Sequence, residues 1–133
     1  MPVELEMVLR LIMATALGAI VGYQRERAAK PAGLRTHVLI SVGAALFTIA
    51  SLYGFGAVAD PARVAAGIVA GVGFLGAGAI IRRDEGLVAG LTTAATIWAV
   101  AAIGLAVGAS LYLVSAVTTV IILIVLYLPH PIR

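Results

Sequence analysis

The chain has 133 residues, 62% of them hydrophobic, with a formal net charge of +3 and a mean hydropathy of +1.14. Soluble domains hold about 45–50% apolar residues, so this composition excludes an ordinary soluble domain and indicates one domain whose solvent is lipid. Zero cysteines exclude disulfides and thiolate metal sites, and His37 and His130 stand too far apart for a zinc motif.

Five apolar segments predict an all-α bundle of five transmembrane helices, at about 5–23, 38–55, 64–81, 87–107 and 111–128. The first carries Glu4 and Glu6 where a signal peptide needs positive charge, so it reads as a span. Glu6 and Arg10 are four apart and share a helix face. Arg10 either snorkels toward the surface paired with Glu6 or makes a polar contact inside the bundle. The stretch QRERAAKPAGLRTH follows, in which Pro31, Ala32 and Gly33 form a turn and Thr36 is the expected N-cap of the second helix. Its cations suit a cytoplasmic loop, each worth about 1 kcal/mol toward anionic head groups.

In the second segment Ser41, Thr48 and Ser51 line one helical face. Asp60 followed by Pro61 reads as the N-cap and first-turn proline of the third. That third segment, VAAGIVAGVGFLGAGAIIRRDEG, holds Gly67, Gly71, Gly73, Gly76 and Gly78. Such a shallow surface lets helix backbones approach closely, so it is expected to be the most tightly packed helix and an oligomerisation surface. Gly71, Gly73 and Gly76 also fit G-x-G-x-x-G, but they lie within a membrane-length run and no acidic residue follows Glu85. A dinucleotide site, which needs a strand before the glycines and a ribose-binding carboxylate after them, is excluded. The fourth segment opens with Thr92, Thr93 and Thr96 and places Trp98 near mid-depth, where core packing is expected of it. The fifth, rich in Val, Ile and Leu, is expected to face lipid most, and Pro129, His130 and Pro131 end it.

Seven of the nine basic residues (Arg25, Arg27, Lys30, Arg35, Arg82, Arg83 and Arg133) fall on one side of a five-span topology. The positive-inside rule then places the N-terminus outside and the C-terminus in the cytoplasm. Tyr23, Tyr53, Tyr112 and Tyr127 fall near segment ends, as an aromatic belt requires. Basic residues beside apolar runs argue for membrane loops and against a nucleic-acid groove. No nucleophile–base pair, carboxylate pair or metal-ligand spacing is visible, so neither an enzyme nor a cofactor is expected. The polar intramembrane positions are Arg10, Ser41, Thr48, Thr92 and Thr96. Whether Mg²⁺ binds is left open, since only Asp60, Asp84 and Glu85 offer carboxylates near the relevant loops.

Gly22-Tyr23-Gln24-Arg25-Glu26-Arg27 and Pro31-Ala32-Gly33-Leu34-Arg35-Thr36-His37 resemble the G-x-x-R-E-R … AGLRT signature of the MgtC/SapB membrane-protein family. Gly71 to Gly78 is similar to its G-x-GFLGAG element, and Gly90 to Trp98 to its GL-x-TAAT-x-W element. The resemblance implies a five-span bacterial inner-membrane domain linked to growth at low magnesium and, in pathogens, to survival inside macrophages. It further implies a regulatory role, with the F-type ATP synthase and small regulatory peptides as membrane partners. Two departures stand out: Thr92 where many members have Asn, and Gly67 where many have Gln. Since the chain stops at Arg133, only the membrane domain is expected, without the soluble C-terminal domain of many relatives.

Two functions follow as expectations. One is a non-enzymatic regulator that docks through helix faces and the basic loop onto another membrane complex or onto itself, a dimer being favoured. The other is a small oligomeric ion or solute (Mg²⁺) transporter or channel with a path along Ser41, Thr48, Thr92 and Thr96. Arg25, Glu26, Arg27, Arg35, Arg82, Asp84 and Glu85 are expected to form one charged network on the cytoplasmic side.

Overall fold

The computed structural model describes residues 2–82 and 88–128, with backbone alone at 81, 82, 88 and 89. Among the described residues five helices run in order: α1 (Val3–Arg27), α2 (Leu34–Tyr53), α3 (Pro61–Ala79), α4 (Leu91–Gly108) and α5 (Tyr112–Leu126). A two-residue antiparallel pair, β1 (Ile81–Arg82) with β2 (Val88–Ala89), joins α3 to α4. The first four helices are long and apolar enough to cross a membrane; α5, at 15 residues, is apolar but shorter.

The helix ends differ from expectation for local reasons. α1 continues through Arg27, so Gln24 to Arg27 are helical and not loop. α2 starts at Leu34, and Thr36 is therefore inside the helix and not its N-cap. The capping is done from another helix: the Glu26 carboxylate, in the last turn of α1, accepts the Leu34 amide at 2.9 Å. A side chain at Gly33 would push that carboxylate aside and weaken the cap. Asp60 caps α3 as expected, accepting the Ala62 amide at 3.0 Å with Pro61 in the first turn. α4 starts at Leu91, not 87, because the preceding residues pair as strand and Gly90 turns the chain with φ of 95°.

α2 and α4 are the centre, and α1, α3 and α5 pack around them. Ala14, Leu17 and Val21 of α1, Ala45 of α2, and Val100, Ile103 and Val107 of α4 form one core. A second joins Ala32 and Ala44 to Ile68 and Val72 of α3 and Ile97 and Ala101 of α4. The glycines that permit this are Gly18 and Gly22 on α1 and Gly104 and Gly108 on α4, each pair spaced four apart. A Cβ on Gly18 would lie 2.8 Å from Ser41 Cβ, one on Gly22 2.9 Å from Leu34 Cα, and one on Gly108 2.7 Å from the Ala45 carbonyl. One on Gly104 would collide with the Ser41 carbonyl.

Two expectations are thereby corrected. α3 is the least buried of the four long helices, not the most tightly packed. Gly67, Gly71, Gly73 and Gly78 have open space beside them, and of the five glycines expected to pack only Gly76 meets a neighbour, Ala94 at 3.6 Å. Trp98 is 56% exposed and lies over the shallow α3–α4 seam with Ile68, Val69 and Leu105, so it is not a core residue. α5 faces outward as expected, burying Ser115 and Thr119.

Candidate functional site

Two buried polar clusters stand one at each end of the bundle. Arg10 centres the first. It is 4% exposed; its Nη2 lies 2.6 Å from Glu6 Oε2, its Nη1 donates to the Gly108 carbonyl at 3.0 Å, and its Nε donates to the Tyr112 hydroxyl at 2.9 Å. That hydroxyl in turn donates to Glu6 at 3.0 Å, and the Tyr53 ring lies 5.3 Å from the guanidinium carbon. Arg10 therefore keeps the expected Glu6 pair but does not snorkel to the surface; it ties α1 to α2, α4 and α5 from inside the bundle.

The second cluster forms where α1 ends and α2 and α4 begin. Arg25 is buried and its Nη2 donates to Thr93 Oγ1 at 3.0 Å. His37, fully buried, sets Nδ1 2.8 Å from the Gly33 carbonyl and Nε2 3.3 Å from Thr96 Oγ1. A carbonyl only accepts, so Nδ1 carries the proton. The Thr96 hydroxyl also lies 2.8 Å from the Thr93 carbonyl. Arg25 Nε and Gln24 Oε1 are buried without a hydrogen-bond partner.

Of the hydroxyls expected to line a path, Ser41 donates to the Ala14 carbonyl at 2.8 Å and Thr48 to the Ala44 carbonyl at 2.8 Å. Thr96 belongs to the second cluster, while Thr92 is exposed on the outside of α4. These four side chains thus do not share a lumen within the chain.

Arg25, Glu26, Arg27 and Arg35 gather at one end of the bundle, yet each acts separately. Arg25 goes inward, Glu26 caps α2, Arg27 donates to its own neighbour Tyr23 at 3.2 Å, and Arg35 is exposed. Among the described residues the ion pair present is Arg10 with Glu6. Asp84 and Glu85, and the side chain of Arg82, lie outside the described residues, as does His130. No group of three or more metal-ligating side chains occurs among the described residues. His37 and Thr93 were not singled out as site residues. The signal for them is that a histidine in an apolar helix tends to turn inward to find a partner, and that of two adjacent threonines one can face in while Thr92 faces out.

Four bilayer-length apolar helices around buried polar clusters define a multi-pass membrane protein of the helical-bundle class. The chain belongs to the MgtC family, whose model matches residues 11–133. It is 47% identical over 132 residues to YhiD of Escherichia coli, whose name marks it as a candidate magnesium transporter, covering 94% of this chain and 61% of that one. It is 38% identical over 139 residues to SapB of Bacillus subtilis (98% and 60% covered) and 48% identical over 119 residues to MgtC of Brucella abortus (89% and 49%). The chain thus spans about half to three-fifths of the length of these relatives. No solved structure matches it.

Proposed function

We propose that this chain is the membrane part of a non-enzymatic regulator that serves adaptation to low Mg²⁺, seated in the bacterial inner membrane with the Arg25 end cytoplasmic. It acts by helix–helix association, with itself or with a membrane complex of the F-type ATP synthase kind. The observation that carries this reading is the fate of the hydroxyls. Ser41, Thr48 and Thr96 are buried, donate to backbone carbonyls and share no lumen, whereas α3 leaves a small-residue surface bare. Ala66, Ala70, Gly73 and Ala77, spaced four, three and four apart and all exposed, form an outer ridge against which another helix can close. The second reading, a Mg²⁺ conduit, draws on the name of the Escherichia coli relative.

Flux separates the two. Liposomes holding the folded protein are expected to pass Mg²⁺ and protons no faster than empty ones, while Gly73→Leu lowers cross-linking between copies or to a membrane partner. Flux above background that falls on Ser41→Ala would overturn the regulator in favour of the conduit.

A further inference from the structure

α2 and α3 do not close on each other along their outer side. Between them runs an apolar groove of about 610 Å³, walled by Leu39, Gly43 and Phe47 of α2 and by Gly67, Gly71 and Leu75 of α3. Three of these six are glycines with open space where a Cβ would stand, which is why the groove is deep enough to hold a chain. At its Leu39 end it meets a second recess of about 350 Å³, lined by Glu26, Arg35 and Thr36 as well as Leu39 itself. A polar recess and an apolar groove thus share one wall residue at the end of the bundle, where a membrane interface lies.

We propose that this composite site binds one anionic glycerophospholipid, its phosphate at Arg35 and Thr36 and one acyl chain along the α2–α3 groove.

The junction of an apolar groove with a polar recess favours a lipid over a partner helix. The α3 wall, Val64 to Leu75, covers about 16 Å at 1.5 Å per residue, and half of a hydrocarbon core of about 30 Å is about 15 Å. The groove crosses mid-depth of α3, but its length matches one acyl chain entering from the Leu39 end, and the polar recess at that end offers a head group a place that a spanning helix would leave empty. Its volume falls within the roughly 300–1,000 Å³ of ligand sites. Charge decides for an anionic head group. In the recess the Glu26 carboxylate is turned to the Leu34 amide, Arg35 is its exposed cation, and Arg27 and Lys30 are exposed in the α1–α2 connection that leads to it. The site is separate from the outer ridge of α3, so it stands or falls independently of association through Gly73.

The test is native mass spectrometry of the protein released from mixed micelles of detergent with phosphatidylglycerol or phosphatidylcholine. The wild type is expected to retain one lipid per chain, phosphatidylglycerol in preference. Gly71→Leu fills the groove and lowers retention about tenfold or more. Arg35→Gln removes the preference for phosphatidylglycerol while a lipid is still retained. Gly73→Leu, on the other side of α3, leaves retention unchanged. Gly43→Leu on the facing wall replaces Gly71→Leu should that variant not fold. Wild-type protein that retains no lipid, or an unchanged retention in both groove variants, overturns the proposal. So does loss of a cross-linked dimer in Gly71→Leu with lipid retention intact, which would make the groove a helix seat.

Discussion

Arg10 shows how a cation is kept within a helix meant for hydrocarbon. Its three nitrogens find a carboxylate, a phenol and the carbonyl of Gly108, where α4 runs out of helical donors. Hydrogen bonds to a charged group contribute about 1.5–3 kcal/mol each and are not additive, so Arg10→Met should cost about 3 kcal/mol. Tyr112→Phe leaves the other two bonds in place and should cost about 1 kcal/mol. Unfolding of the detergent-solubilised protein checks both, and equal losses would mean that the phenol holds the cluster together. Half of this cluster was legible: Glu6 and Arg10 are four apart on one helix, which any helical wheel shows. Tyr112 and Gly108 lie 102 and 98 residues away from Arg10, and no local pattern links them.

The same boundary between local and distant information runs through the helices. Five apolar segments could be counted because hydrophobicity is a property of each stretch, but the inward face of each helix is another matter. In water an apolar stripe marks the buried face; in lipid both faces are apolar and the stripe disappears. Hydroxyls are more informative, since most turn inward for a partner: Ser41, Thr48 and Ser51 are all buried, although Thr15 and Thr92 are exposed. Glycines are less so: α3 holds five of the fifteen and leaves four of them beside open space, while Gly18, Gly22, Gly104 and Gly108 do the packing. This contrast is measurable. Gly104→Ala pushes a methyl into the Ser41 carbonyl and should cost about 1–3 kcal/mol by overpacking. Gly71→Ala meets open space and should be neutral or gain up to about 1 kcal/mol from helix propensity. The reverse order in thermal unfolding would place α3, not α4, at the packed centre.

For the whole molecule, Trp98 reports which surface meets lipid. It stands exposed beside the α3–α4 seam, well inside α4. Its fluorescence should be quenched strongly by lipids brominated on the acyl chain and weakly by a water-soluble quencher. Strong quenching from water instead would put that seam in contact with an aqueous space, which favours a conduit. Trp98 was misjudged because mid-depth in a helix says nothing about radial position, and an indole donor in lipid is unusual enough to suggest burial.

α5 has a consequence for the membrane itself. Its 15 residues rise about 22 Å, against a hydrocarbon core of about 30 Å. Lipid beside α5 has to compress, tilt or draw in its head groups, and each ångström of this deformation carries an elastic cost. α5 therefore gives the bundle one short flank beside four helices of 18 or more residues. Bilayers of shorter acyl chains should stabilise the protein until the longer helices begin to protrude. Any neighbour with a short span of its own is drawn to that flank by the membrane alone, since sharing one thinned patch costs less than making two.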